Sequence, residues 1–251
     1  MIDLEEIRIV LVAPSHPGNI GAAARAMKTM GLSRLYLVSP ESYPHAEATA
    51  RASGADDVLA RALVCQDLDE ALRGVTLVLG TSARARSLEW PTIPPRQAAE
   101  RINAESGGEA AIVFGRERSG LTNSELERCH YRVHIPANPE YSSLNLAAAV
   151  QLLCYELALA AEAGPVDDPT PAISEEDPRE AYAEQIEVER FYVHLEAALA
   201  EIEFLDRENP RQLMRRLKRL FNRTRLLRTE VNLLRGILTA AQRQAKLARG
   251  G

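Results

Sequence analysis

The residues best placed to do chemistry fall in polar stretches that follow apolar ones. Gly115-Arg116-Glu117-Arg118-Ser119-Gly120 stands directly behind the apolar run at 110–114, and Gly80-Thr81-Ser82-Ala83-Arg84 stands behind the run at 75–79. A third stretch, Ser142-Ser143-Leu144-Asn145, lies between Ile135-Pro136 and an alanine-rich helical pattern. A fourth, 13–19, ends at Asn19, with Arg25 six residues further on. Charges set immediately after a buried strand lie at the mouth of a sheet, where open α/β folds bind ligands. Small residues such as Thr81, Ser82 and Ala83 at a strand end let a flat ligand approach the backbone. Each residue also has a plainer use: Ser143 or Asn145 as a helix cap, Glu117 in a loop ion pair, Arg25 as a solvated helix residue, His16 and Asn19 as turn or cap residues.

The elements that must position these residues are legible from hydrophobic period. Ile7 to Val12 reads as a buried strand, 20–30 as a helix stopped by Gly31, and 35–38 as the next strand. Short helices are expected at 46–53, 55–61 and 67–73, the last capped by Asp67 and closed by Gly74, with strands at 62–65 and 75–79. A helix over 94–103, strands at 110–114 and 131–135, a short helix after Thr122 and a long helix over 143–161 complete the pattern. About six strands alternating with helices predict an α/β domain with a parallel, Rossmann-like sheet over 1–164. The loop after the first strand lacks G-x-G-x-x-G, which counts against a nicotinamide-dependent oxidoreductase.

Residues 165–178, with their prolines and acids, read as a linker. Residues 179–251 read as a small α-helical extension with apolar stripes at Ile186, Phe191, Leu195, Leu199 and Ile202, at Leu213, Leu217 and Leu220, and at Leu227, Val231, Leu234 and Leu238. It is small for a core of its own, so packing on the main domain or on a second chain is expected. The net charge of −5 over 251 residues conceals a gradient: −7 for 1–173, −9 for 174–206 and +11 for 207–251. A basic block on an acidic chain points to a polyanionic partner, nucleic acid first. Cys65, Cys129 and Cys154 are too scattered for a disulfide framework or a zinc cluster, and no metal site is expected. The acidic start and the lack of a long continuous apolar run predict a cytoplasmic protein with no membrane partner.

Read together, Asn19-Ile-Gly-Ala-Ala-Ala-Arg25-Ala-Met, Phe114-Gly-Arg-Glu117-Arg-Ser-Gly-Leu-Thr, and Ile135-Pro through Ser142-Ser-Leu-Asn145 resemble the three ordered motifs of the SpoU branch of the SPOUT RNA 2'-O-ribose methyltransferases. Gly80-Thr-Ser-Ala-Arg, Asn138-Pro-Glu-Tyr-Ser-Ser-Leu-Asn, the run 211–221 and Leu234-Arg-Gly-Ile-Leu resemble, more narrowly, the bacterial tRNA (cytidine/uridine-32) enzymes of that branch. The resemblance covers nearly the whole chain outside the linker, and three motifs in order are far more specific than any one.

The resemblance implies S-adenosylmethionine as methyl donor, bound in a C-terminal trefoil knot by Thr81, Ser82, Ala83, Gly115, Ile135, Ser142, Ser143 and Leu144. It implies a homodimer with the site at the interface, and transfer to the 2'-hydroxyl of nucleotide 32 in the tRNA anticodon loop. Arg25 matches the arginine to which the family's proton abstraction is ascribed. Because a guanidinium holds its proton so tightly, contact with the target phosphate and orientation of the ribose are the better-founded role. Asn19, Glu117 and Asn145 match substrate-positioning residues, with Glu117 expected to orient an arginine across the site. The alternatives are transfer at another tRNA or rRNA position and an RNA-binding homologue without activity; intact Arg25, Glu117, Ser143 and Asn145 speak against the latter.

Overall fold

The computed structural model describes residues 3–83, 90–104, 108–163, 181–206 and 212–249. Two compact units divide the chain, Met1–Pro171 and Ala172–Gly251. The expected linker at 165–178, like Arg84 and Arg211 of the quoted motifs, lies outside the described residues.

The first unit is built on a parallel sheet of seven strands: β1 (Ile7–Val12), β2 (Arg34–Val38), β3 (Leu63–Cys65), β4 (Val75–Thr81), β5 (Thr92–Ile93), β6 (Glu109–Phe114) and β7 (Tyr131–Val133). Their order is β3-β2-β1-β6-β4-β7-β5. The register sets Ile9 beside Leu35 on one side and Ile112 on the other, so equivalent apolar rows cross the sheet. Alternation in β1 feeds both faces: Ile7, Ile9 and Leu11 enter one core and Val10 and Val12 the other.

On the first face pack α1 (Pro17–Thr29), α2 (Ala46–Ala52), α3 (Asp56–Ala60), α5 (Pro95–Ala104) and α7 (Leu146–Ala163), while α4 (Leu68–Ala71) and α6 (Asn123–Leu126) cover the second. Helix α7 is long and apolar enough to cross a membrane by composition, but Val150, Leu153, Cys154 and Leu157 are buried in the core it shares with α1 and α5.

Several local expectations need correcting. The sheet has a seventh strand, β5, only two residues long and paired to β7 through Thr92 and Ile93; no periodicity can register in so short a segment. Helix α1 starts at Pro17 rather than residue 20, because the His16 side chain caps Gly18 N–H and proline is well tolerated in the first turn. Asn19 is therefore inside the helix and not its cap. Helix α7 starts at Leu146 rather than residue 143, with the Asn145 Oδ1 accepting from the N–H groups of Ala147 and Ala148 at 2.9 and 3.3 Å, so of the two candidate caps, Ser143 and Asn145, it is Asn145 that caps the helix.

His130 joins β4 to the segment before β7. Its ring Nδ1 accepts the Val78 N–H at 3.0 Å while the His130 backbone N–H donates to the Val78 carbonyl at 2.8 Å. Burial pushes the ring down to about 4, and protonation at Nδ1 would expel the Val78 N–H. With a folded value below the unfolded one of about 6.5, the unfolded chain binds the proton more strongly between the two. The His130 contribution is thus complete above about pH 6.5 and falls as the pH drops to about 4, by roughly 3 kcal/mol in all. Urea midpoints measured from pH 7 to 5 are expected to fall less steeply for His130→Asn than for the wild type; parallel slopes would show that the ring does not titrate with unfolding.

The second unit holds α8 (Gln185–Glu201), α9 (Leu213–Asn222) and α10 (Arg228–Arg249). Small as it is, the unit has a core of its own: Ala183, Val188, Phe191, Tyr192, Leu195 and Val231 are buried together, and Phe221 meets Phe191 edge-on at 5.0 Å between ring centres. Ile202, expected in the α8 stripe, lies past the helix end and is partly exposed. Part of the basic charge is neutralised within the unit, where Arg228 pairs with Glu184 and Glu187, and Lys218 with Glu189. Arg216, Arg219, Arg223, Arg235 and Arg243 make no ion pair among the described residues.

Candidate active site

Three loops leave the C-terminal ends of β4, β6 and β7 and converge on one cavity of about 370 Å³, within the range of small-molecule sites. Thr81, Ser82, Ala83, Gly115, Ile135, Ser142, Ser143 and Leu144, the residues expected to hold the donor, all line it. Pattern reading did not pick out the apolar wall of Phe114, Val133, Leu146 and Ala149; Arg118, Ser119 and Gly120 of the polar stretch behind β6 line the cavity beside it. The apolar four are strand-end and helix-start residues whose core period hides their second use.

The β6 loop is shaped by close backbone approach. A Cβ on Gly115 would lie 2.2 Å from the Gly120 carbonyl carbon and the Leu121 nitrogen, so only glycine lets the loop fold back on itself. Gly120, at φ +68°, makes the return, and its N–H donates to the Arg116 carbonyl at 2.9 Å. Arg116 and Glu125 clamp the loop to α6 with two parallel hydrogen bonds of 3.0 Å, and Glu125 also accepts the Thr122 N–H at 2.7 Å. Burial works to raise the Glu125 carboxyl, but these bonds outweigh it and hold it below the usual carboxylate range.

Glu117 faces the other way, toward the loop after β1. Its Oε2 accepts from the Ser15 N–H at 3.1 Å and the Ser15 hydroxyl at 3.0 Å, and its Oε1 from the His16 N–H at 3.2 Å and Asn19 Nδ2 at 3.0 Å. Burial opposes ionisation here too, but the Asn19 bond and the backbone donors of Ser15, Glu117 itself and His16 lower the carboxyl to about 2. Within the described residues of one chain the partners of Glu117 are Ser15, His16 and Asn19 and not an arginine, and the neighbouring Arg116 is taken by Glu125. The loop that presents these donors leaves β1 at Ala13, a non-glycine residue at φ +43° held by its N–H bond to the Val38 carbonyl at 2.8 Å.

Asn145 Nδ2 donates to Asn19 Oδ1 at 2.9 Å, so Asn145, Asn19 and Glu117 form one chain of hydrogen bonds across three motif loops. A carboxylate that accepts from the amide of Asn19 fixes which way that amide points, and the Asn19 oxygen in turn fixes Asn145. Arg25 is not brought to the cavity. It is exposed on α1, and its guanidinium makes no hydrogen bond or ion pair among the described residues. The pairing of His16 with Pro17 was the sequence signal that could have located the α1 start and, through it, the Ser15 and His16 donors.

With this geometry in view, the comparisons with known proteins are specific. Residues 6–155 match the model of the SpoU rRNA Methylase family, and residues 186–250 match the C-terminal domain of the tRNA methyltransferase TrmJ. The chain is 54% identical over 252 residues to the tRNA (cytidine/uridine/adenosine-2'-O-)-methyltransferase TrmJ of Pseudomonas aeruginosa, covering 98% of this chain and 96% of the relative. Among solved structures, TrmJ from Z. mobilis ZM4 is similar at a TM-score of 0.78 and 35% identity, covering 93% of this chain and 97% of that one. A probable methylase family protein from Haemophilus influenzae Rd KW20 is similar at a TM-score of 0.62 and 45% identity, with 98% and 100% covered. Motif order, strand topology and near full-length identity agree, and the chain belongs to the SpoU methylase family, a branch of the SPOUT methyltransferases.

Proposed function

We propose that the chain is an S-adenosylmethionine-dependent tRNA 2'-O-ribose methyltransferase acting on nucleotide 32 of the anticodon loop. The observation that carries this reading is the convergence of the three motif loops on one cavity, braced by the Asn145–Asn19–Glu117 chain. Relatives point to the chemistry: the Pseudomonas aeruginosa protein is named a tRNA 2'-O-methyltransferase, as is one from Photorhabdus laumondii at 48% identity.

The residues present fit the donor. Phe114, Ile135, Leu144 and Leu146 give an apolar wall for a flat base, the hydroxyls of Thr81, Ser142 and Ser143 can bond a ribose, and Arg118 beside Ser119 suits a carboxylate. S-adenosylmethionine supplies, when bound, a methyl group on a positively charged sulfur. The part of this chain is to bring a ribose hydroxyl into line with that methyl group and to provide for the proton the oxygen must lose. Glu117, ionised at neutral pH but saturated with donors, acts as a brace and not as the proton acceptor. Arg25 is the candidate catalytic residue, holding the target phosphate and the ribose by its two-pronged geometry.

The reading includes a homodimer. In support, Arg25 is exposed outside the cavity of its own chain, a position that a second copy and a bound tRNA can complete. It includes a trefoil knot, supported by β7 occupying the sheet position between β4 and β5 and by the loop after β7 lining the same cavity as the end of β4. It assigns the unpaired arginines of α9 and α10 to tRNA backbone contacts, which predicts affinity that falls with salt. Cytoplasmic location accords with a tRNA substrate.

The test is methyl transfer from labelled S-adenosylmethionine to unmodified bulk tRNA, with the product mapped by resistance to alkaline cleavage. A single mark at nucleotide 32 is the expected result. A mark elsewhere would overturn the position and keep the reaction, and donor binding without transfer to any tRNA would overturn the substrate.

A further inference from the structure

Between β7 and α7 the chain displays an aromatic ring that neither core uses. Tyr141 is 81% exposed, the most open of the large hydrophobic side chains described. Its backbone is nevertheless well fixed: the Tyr141 N–H donates to the Asn138 carbonyl at 2.9 Å, and the Glu140 N–H donates to Asn138 Oδ1 at 3.0 Å. Asn138-Pro139-Glu140-Tyr141 is therefore a tight turn reinforced by an asparagine side chain. The next three residues, Ser142, Ser143 and Leu144, line the cavity, and the one after them, Asn145, caps α7 and bonds Asn19. The ring is thus carried on a hydrogen-bonded turn whose next residue, Ser142, lines the cavity.

Leaving a tyrosine ring in water wastes apolar area, and a fold that fixes the turn beneath it gains nothing from the exposure in the free protein. Single-stranded RNA loops are recognised by splaying bases out and stacking them on such rings. We infer that Tyr141 is a base-stacking residue, receiving the base of the target nucleotide while its ribose hydroxyl enters the cavity. The inference rests on the tRNA methyltransferase reading above and adds to it the group that holds the base.

Stacking uses the face of the base, which every base has, and does not read its hydrogen-bonding edge. Tyr141 would therefore give grip with breadth: a loss that is similar for different target bases and indifferent to the tyrosine hydroxyl. Among the described residues no hydrogen bond joins the 138–141 turn to Glu117 or Asn19, and the Tyr141 ring is not part of the cavity lining, so donor affinity should be unchanged by a substitution there.

The experiment measures donor affinity, KM for tRNA, kcat and oligomeric state for the wild type, Tyr141→Ala and Tyr141→Phe, on a tRNA with its normal target base and on one with an abasic target nucleotide. The expected result is a rise in KM of about 10-fold for Tyr141→Ala on normal tRNA, on the order of 1.4 kcal/mol. Tyr141→Phe restores the wild-type KM, donor affinity does not change, and the difference between wild type and Tyr141→Ala disappears on the abasic tRNA. An unchanged KM for Tyr141→Ala, an equal loss in Tyr141→Phe, or a loss that persists on the abasic tRNA would overturn the assignment. So would a shift of Tyr141→Ala to a smaller oligomer, which would make the ring an anchor between copies of the chain. A wild-type protein that methylates no tRNA would instead bring down the underlying reading, a result distinct from any of these.

Discussion

Arg25→Ala is expected to bind S-adenosylmethionine as the wild type does and to transfer methyl groups to tRNA about 10²- to 10⁴-fold more slowly. The first half follows from placement: Arg25 is exposed on α1 and absent from the cavity wall, and its guanidinium has no hydrogen-bond partner among the described residues. For the same reason its removal should alter folding stability by no more than about 0.5 kcal/mol, as for other unpartnered surface residues. Arg25→Lys separates the two roles the residue has been given. If Arg25 positions phosphate and ribose, lysine keeps the charge and loses the two-pronged geometry, so activity recovers in part with the pH–rate profile unmoved. If it accepts the proton, lysine changes the acid–base group itself, and the profile must shift. Wild-type rates in Arg25→Ala would remove the residue from the mechanism altogether. Loss of donor binding would show that Arg25 reaches the cavity, against its placement on α1.

How much of this was legible in advance depends on the length scale of each signal. The strands β1, β2, β4 and β6 were readable because each is a run of buried β-branched and leucine residues, covered on both faces. β5 was not, since Thr92 and Ile93 carry no period and become a strand only because Arg132 and Val133 lie alongside. Asp67 and Thr122 were readable as caps because their side chains act within three residues. Asn145 was harder, as serines precede it and capping chemistry alone does not choose among them; the choice is made by Asn19, 126 residues away in sequence. The partners of Glu117 within the chain are hidden for a similar reason. An acid between two arginines suggests an ion pair, but Arg116 is drawn to Glu125 by the fold of the loop, and the Ser15 and His16 N–H groups come from the loop after β1, the strand beside β6 but about 100 residues away in sequence. The residues lining the cavity were assigned from the motifs as a set, and the fold brings all eight to one wall because β4, β6 and β7 end side by side.

Gly115→Ala is expected to abolish donor binding at concentrations that saturate the wild type, a loss of at least about 10²-fold, which matches roughly 2.7 kcal/mol. The added methyl group would stand 2.2 Å from Gly120 C and Leu121 N and 2.7 Å from the Gly120 oxygen, all backbone atoms that no rotamer change can move aside. Relief requires the 115–121 loop to open, and that loop carries Arg116, Glu117, Arg118, Ser119 and Gly120 of the cavity wall. Opening it also draws the Glu117 carboxylate away from Ser15, His16 and Asn19, and with Asn19 displaced, Asn145 loses its acceptor. One methyl group therefore disturbs all three motif loops. The cost to folding is that of overpacking, about 1–3 kcal/mol, lowering the melting temperature by roughly 2–4 °C per kcal/mol. Gly21→Ala is the control, because its Cβ would meet the Ala48 carbonyl oxygen at 2.0 Å between α1 and α2, away from the cavity wall. It should destabilise the fold by at least as much while folded protein still binds the donor. If calorimetric titration found both variants binding normally, the 115–121 loop would have slack that the close backbone approach denies; if both lost binding in proportion to stability, the cavity would be reporting global unfolding. Loss of binding in Gly115→Ala alone ties the donor site to the one position where the β6 loop folds back on its own backbone.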